Sequence, residues 1–167
     1  MTRTTCIAII DASRARFFLH VRSVEPGGMR DTFDEMFDLV DPARRLPPSE
    51  LFSDTRTNSN RSAGGRHYGF DDHANAHVDQ LDVVFAREIA AQLDALVTTA
   101  KCTRVVLCAS PHMLGTIRPL LPDLARRDIA IEELARDLVK LTPPELREAL
   151  AHDGLLLPVP ERPARAS

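Results

Sequence analysis

The chain has little cysteine, and none of it is spaced for metal or redox chemistry. Cys6, Cys102 and Cys108 are the only three in 167 residues, and no CxxC pair occurs. A thiolate metal site is therefore not expected. Cys6 and Cys108 lie inside apolar runs and read as small buried hydrophobes of a reducing compartment. Long apolar runs are also missing. The run Cys6–Ile10 is too short for the core of a signal peptide and meets Asp11 at once. No run approaches the length that spans a membrane. The expectation is a cytoplasmic protein with no membrane partner. A global basic field is lacking too, since the formal net charge is −3. The nucleotide fingerprints GxGxxG and GxxxxGK are absent, and no cofactor is expected.

What is present is an ordinary globular composition, 44% apolar and 27% charged, in a length suited to one domain with a proper core. Thr5–Asp11 is apolar on both faces, as a central strand is. Ala15–Val21 follows after a tight link, so the two should form an antiparallel hairpin. Pro26–Gly27–Gly28 is a turn, and Met29–Val40 reads as a third strand with an imperfect period, a short helix being the alternative.

A polar stretch, Pro42–Asp71, then precedes a helix over about Asp72–Ala100. Its apolar stripe is Val78, Leu81, Phe85, Ile89, Leu93, Leu96 and Val97. Arg104–Ala109 is a buried strand. Ser110–Pro111 starts a helix that runs to Leu121 and is stopped by Pro122. Ile129–Leu138 holds another strand. Thr142 and Glu145 form a capping sequence for a last helix to His152, ended by Gly154. The resulting order, β-β-β-α-β-α-β-α, predicts an α/β fold with a mixed five-stranded sheet and helices packed on it. Residues 1–153 are read as one domain, with segment 42–71 inserted before the main helix and a proline-rich tail over 154–167.

The segment before the long helix carries the local charge. Between Pro42 and Phe70, Arg44, Arg45, Arg56, Arg61 and Arg66 face only Glu50 and Asp54, a formal +3 on an acidic chain. That asymmetry points to an anionic partner, the alternative being arginines that merely solvate a loop. A structureless stretch of about 30 residues is uncommon in a compact domain unless it is functional or disordered. Within it stands RSAGGRHYG, Arg61–Gly69. Gly64 and Gly65 permit positive backbone dihedrals and close approach. Arg66 can fork to a phosphate or carboxylate, and His67 and Tyr68 can stack on a base. The candidate binding residues are Arg61, Ser62, Gly64, Gly65, Arg66, His67 and Tyr68.

Other chemistries fit less well. A metal-dependent nuclease needs several converging carboxylates, and Asp11 and Glu88 are the two that can be named. Asp11 reads better as a turn residue bonding the following backbone. His73 and His77, four apart, would share a helix face near His67, as metal ligands do, yet no glutamate follows His73 as in the zinc-protease pattern. Solvated histidines are the preferred reading, and no metal is expected. Ser49, Ser53 and Ser62 have no base paired to them by any sequence feature.

Several segments together resemble the family of host attachment proteins, described as required for attachment to host cells. They are DASRARFF (Asp11–Phe18), RLPPSELFSD (Arg45–Asp54), SAGGRH (Ser62–His67), FAREIA (Phe85–Ala90), VVLCASPHMLGTIR (Val105–Arg118) and ELARDLVKLTPPEL (Glu133–Leu146). The resemblance covers Ile7 to about Leu150. It implies kinship with the middle domain of archaeo-eukaryotic release factors and Pelota, whose β/α order is shared by ribonuclease-H-like folds. In release factors the glycine-rich loop carries GGQ and helps water cleave peptidyl-tRNA. Gly64 and Gly65 resemble those glycines, and Arg66 stands where the glutamine would be. Pelota-like proteins also lack GGQ and act on ribosomes without hydrolysis.

The leading expectation is a non-catalytic RNA- or ribosome-associated module using the basic glycine loop. One alternative is a hydrolase of peptidyl-tRNA or a similar ester, with Arg66 or His67 orienting water. The other is a protein-interaction module that affects attachment to host cells.

Overall fold

Continuous burial along the central strands β1 (Thr2–Ile10) and β4 (Arg104–Cys108) marks a sheet covered on both faces. The computed structural model describes residues 1–41, 43 and 69–161, with the side chains of the long helix described from Gln80 onward. In chain order the elements are β1 (Thr2–Ile10), β2 (Arg14–Glu25), β3 (Gly28–Val40), α1 (Gly69–Ala100), β4 (Arg104–Cys108), α2 (Pro111–Ile117), a 3-10 turn (Arg118–Leu120), α3 (Pro122–Arg126), β5 (Ala130–Leu134) and α4 (Pro143–His152). The sheet order is β3-β2-β1-β4-β5. β1 pairs antiparallel with β2 and parallel with β4, β2 pairs antiparallel with β3, and β4 pairs parallel with β5. The mixed five-stranded sheet expected from the sequence is therefore present.

Side-chain parity assigns the two faces. Cys6, Ala8, Ile10, Ala15, Phe17, Val105 and Leu107 point into a core with Phe85, Ile89, Leu93 and Val97 of α1 and Leu114 and Ile117 of α2. Ile7, Ile9, Phe18, Val106 and Cys108 point the other way, against Leu146 and Leu150 of α4 and against Leu138, Val139 and Leu156. Each large side chain fully buried in this way is worth about 1.5–3 kcal/mol relative to exposure.

The imperfect period of β3 has a structural cause. Phe17 pairs with Phe37, whereas Phe18 pairs with Glu35, so Met36 is an extra residue without a partner on β2. Such a bulge reverses the facing of all that follows. Phe33 stacks on Phe18 at 4.8 Å between ring centroids, on the α4 side. Phe37 stacks on Phe17 at 4.7 Å, on the α1 side.

Several expected boundaries are corrected. β1 and β2 are longer than the apolar runs, because a 12-residue β2 stays hydrogen-bonded to β1 on one side and β3 on the other. The helix expected over Pro111–Leu121 is α-helical only to Ile117. Pro119 has no N–H for the next α bond, and the chain tightens into a 3-10 turn. Pro122 does not end a helix but opens α3 at its first position, where a missing N–H costs nothing. β5 stops at Leu134, short of Leu138, because Arg136 N–H turns back to the Leu134 carbonyl at 2.9 Å. Leu138 and Val139 are buried all the same, as core residues without a strand.

The caps of α2 and α4 are as expected. Ser110 Oγ accepts from Met113 N at 3.3 Å. Thr142 and Glu145 form a reciprocal capping box, and that bonding holds the Glu145 carboxyl below the usual carboxylate range. Gly154, at φ +75°, ends α4 in the left-handed region. The chain then folds back, burying Leu156 in the second core.

Candidate functional site

Four of the five strands end on the same side of the sheet. β1, β3, β4 and β5 run in the same direction, so Ile10, Val40, Cys108 and Leu134 all end at the same side. In open sheets with parallel strands, ligands bind outside the carboxyl ends. Asp11 shapes the first turn there. Its Oδ1 accepts from Ser13 N at 2.7 Å, Arg14 N at 2.6 Å and Ser13 Oγ at 3.1 Å. Asp11 is thus a turn residue, as its position suggests. Asp41, which leads into the basic segment, is tied to this turn through its N–H to the Ser13 carbonyl at 2.8 Å, and its Oδ1 accepts from Ala43 N. Glu88 is exposed on α1.

α1 returns to the same edge from the far side. Its end at Ala100 leads directly into the start of β4, so its earlier residues lie toward the carboxyl ends. There Asp82 Oδ2 meets His112 Nε2 of α2 at 3.1 Å. The aspartate side chain is 6% exposed and the histidine 59%. Arg61, Ser62, Gly64, Gly65, Arg66, His67 and Tyr68 lie outside the described residues. So do the side chains of His73 and His77, whose backbone belongs to the first turns of α1.

A second polar cluster lies under α4. Asp31 of β3 accepts from His20 Nε2 at 2.9 Å and from Arg147 Nη2 at 3.1 Å and 3.2 Å, with Arg22 Nη1 at 3.6 Å. The side chains of Asp31, His20 and Arg147 are all 7% exposed or less. One carboxylate therefore serves two guanidinium groups and an imidazole. Burial holds His20 below its ordinary value; its bond to Asp31 opposes that, and Arg147 and Arg22 add to it. The arginines also hold the chain after α4, Arg147 through the Leu157 carbonyl at 2.7 Å and Arg22 through the Pro158 carbonyl at 3.1 Å.

Beside this cluster, Arg16 forks onto Glu35 at 2.8 Å and 2.9 Å, lies over the Phe18 ring, and donates to the Val139 and Leu141 carbonyls. The bidentate pairing raises Arg16 and lowers Glu35 from their ordinary values. Arg16 Nη1 supplies the Val139 and Leu141 carbonyls with a donor that a strand would have given.

Sequence reasoning missed Asp31, His20, Arg16, Arg147, Asp82 and His112. A signal existed for Asp82, which lies three residues before Phe85 on the inward stripe of α1. Arg147 likewise sits between Leu146 and Leu150 on a short helix. The bulge hid Asp31, because the facing of β3 could not be read without it.

A sequence model of the family described as "Protein required for attachment to host cells" matches residues 6–150. The chain belongs to that family. Its description names a phenotype and no reaction. A search of curated proteins finds no match. Among solved structures, the chain is similar to one titled a structural characterization of the Ppx/GppA protein family, from Aquifex aeolicus. The TM-score is 0.32 and the identity 9%, covering 80% of this chain and 35% of that one, a likeness too slight to carry an argument. No helix among the described residues is long and apolar enough to cross a membrane.

Proposed function

We propose that this member of the host-attachment family is an RNA- or ribosome-associated module whose contact is the basic glycine segment, Arg61, Ser62, Gly64, Gly65, Arg66, His67 and Tyr68. The observation that carries the reading is the +3 charge of residues 42–70 on a chain of net −3, in a segment that leaves β3 at the carboxyl edge. Arginines there would neutralise phosphates, and His67 and Tyr68 would stack on bases. The element order and a glycine pair a few residues before the long helix in sequence also support kinship with the middle domain of release factors and Pelota, in a ribonuclease-H-like fold.

Sedimentation of the purified protein with ribosomes tests the proposal. Co-migration is expected at low salt and should weaken on Arg66→Ala. If three arginines neutralise phosphates of a single strand, the logarithm of affinity should fall with the logarithm of salt at a slope of about −2. Absence of co-migration at low salt would overturn the reading.

A further inference from the structure

β3 closes one side of the sheet, and among the described residues no strand pairs with its outer side. A free edge strand of 13 residues offers a row of unpaired N–H and C=O groups to another chain. Its main chain is open to solvent: the Asp31 side chain is 6% exposed, yet the residue as a whole is not buried. The bulge at Met36 breaks the row, so its regular part is Gly28–Glu35. Within that part Arg30, Thr32 and Asp34 share one face, because side chains alternate along a strand. Arg30 is 64% exposed and only loosely paired with Glu25, at 3.7 Å. Asp34 is exposed, and its carboxylate has no ion-pair partner among the described residues. Charges on an edge ordinarily repel a second strand. Here they are of opposite sign on one face, so the strand can complement another copy of itself.

We propose that two copies of this chain pair through β3, antiparallel about a two-fold axis at Thr32, joining two five-stranded sheets into one. Charge selects the register. Outward backbone groups alternate along a strand, so in antiparallel self-pairing the axis passes through a residue and not between two. An axis at Arg30 sets Arg30 against Arg30 of the second copy, and an axis at Asp31 sets Asp31 against Asp31. At Phe33 it sets Asp31 against Glu35, and at Asp34 it sets Asp34 against Asp34. An axis at Thr32 places Arg30 of each copy opposite Asp34 of the other, with Thr32 opposite Thr32, Phe33 opposite Asp31 and no like charges opposed. Asp31 is itself already offset by Arg147 and Arg22. Opposite-charge pairs and Thr–Thr pairs are among those that stabilise antiparallel neighbours. Pairing ends where the bulge turns the strand, before Asp38. This surface goes beyond the RNA-binding reading and does not rest on it.

Sedimentation equilibrium of the full chain, from micromolar to millimolar concentration, tests the proposal. A monomer–dimer equilibrium is expected. Arg30→Asp and Asp34→Arg each turn two attractive pairs into two like-charge pairs and should weaken the dimer about tenfold or more. The combined variant restores opposite charges across the axis and should dimerise as the wild type does. Both side chains are exposed, so all three variants should fold, which circular dichroism checks. Thr32→Cys sets two thiols face to face, and dissolved oxygen should link the copies through a disulfide. Arg30→Cys leaves the thiols about 14 Å apart along the strand, beyond disulfide reach, and should not be linked. The native cysteines are buried and do not compete. A wild type that stays monomeric at every concentration overturns the proposal. So does a dimer that the single reversals leave unchanged or that the combined variant fails to restore, and so does linking of Arg30→Cys as readily as Thr32→Cys.

Discussion

Replacing Asp31 by asparagine puts the cluster under α4 to its most direct test. The carboxylate accepts from His20 and Arg147 and lies beside Arg22, with its side chain 6% exposed. Asparagine keeps one acceptor oxygen and turns an NH2 toward groups that only donate there. Arg147 already has its Nη1 without a hydrogen-bond partner among the described residues, so little remains to absorb the loss. Removing one partner of a buried charge pair costs about 3–5 kcal/mol, most of it the penalty of the charge left behind. With a urea dependence of about 2 kcal/mol per molar, the unfolding midpoint should fall by roughly 2 M. Far-UV circular dichroism in a urea series measures it. The pair substitution Asp31→Leu with Arg147→Met should recover more stability than either single change allows, because it removes both charges together. A loss below about 1 kcal/mol for Asp31→Asn would refute the account of Asp31 as the counter-charge of this core.

Three further outcomes follow from the same geometry. The folded value of His20 lies below its unfolded value, about 6.5, so the unfolded chain binds the extra proton. Its stabilising contribution should be complete above about pH 6.5 and be lost as pH falls through the lower folded value. Urea midpoints between pH 7.5 and 5 should show this slope in the wild type, and His20→Gln should flatten it. Burial pushes the Cys102 thiol up to about 11 and the Cys108 thiol to about 12, and raises Cys6 further, so a disulfide reagent at pH 8 should label none of them until urea is added. Thr142→Ala removes the reciprocal cap of α4 and should cost about 1 kcal/mol in the same urea assay.

The elements that could be read early are those whose signal is local. The stripe Phe85, Ile89, Leu93 and Val97, the double-faced run Cys6–Ile10 and the Thr142–Glu145 box each need only neighbours in sequence. The ends that moved did so where a distant partner or a proline decided. β2 continues to Glu25 because β1 and β3 hold it, and α2 tightens at Pro119. The candidate basic segment was inferred from charge and glycine alone, and it lies outside the described residues. The polar pairs were not, because Asp31 and Arg147, or Asp82 and His112, stand far apart in sequence, and no periodicity links an acid on one element to a base on another.

The amino-acid sequence by itself determined the order of elements apart from α3, the two-faced character of the sheet, the caps and the charge of residues 42–70. It did so because hydrophobic period, proline, glycine and capping side chains act within a few residues. Only the tertiary structure decided which polar residues are buried and with whom. Burial of a charge is set by what packs over it, and the bulge at Met36, the α4 layer over Asp31 and the meeting of α1 with α2 exist only once the sheet has formed.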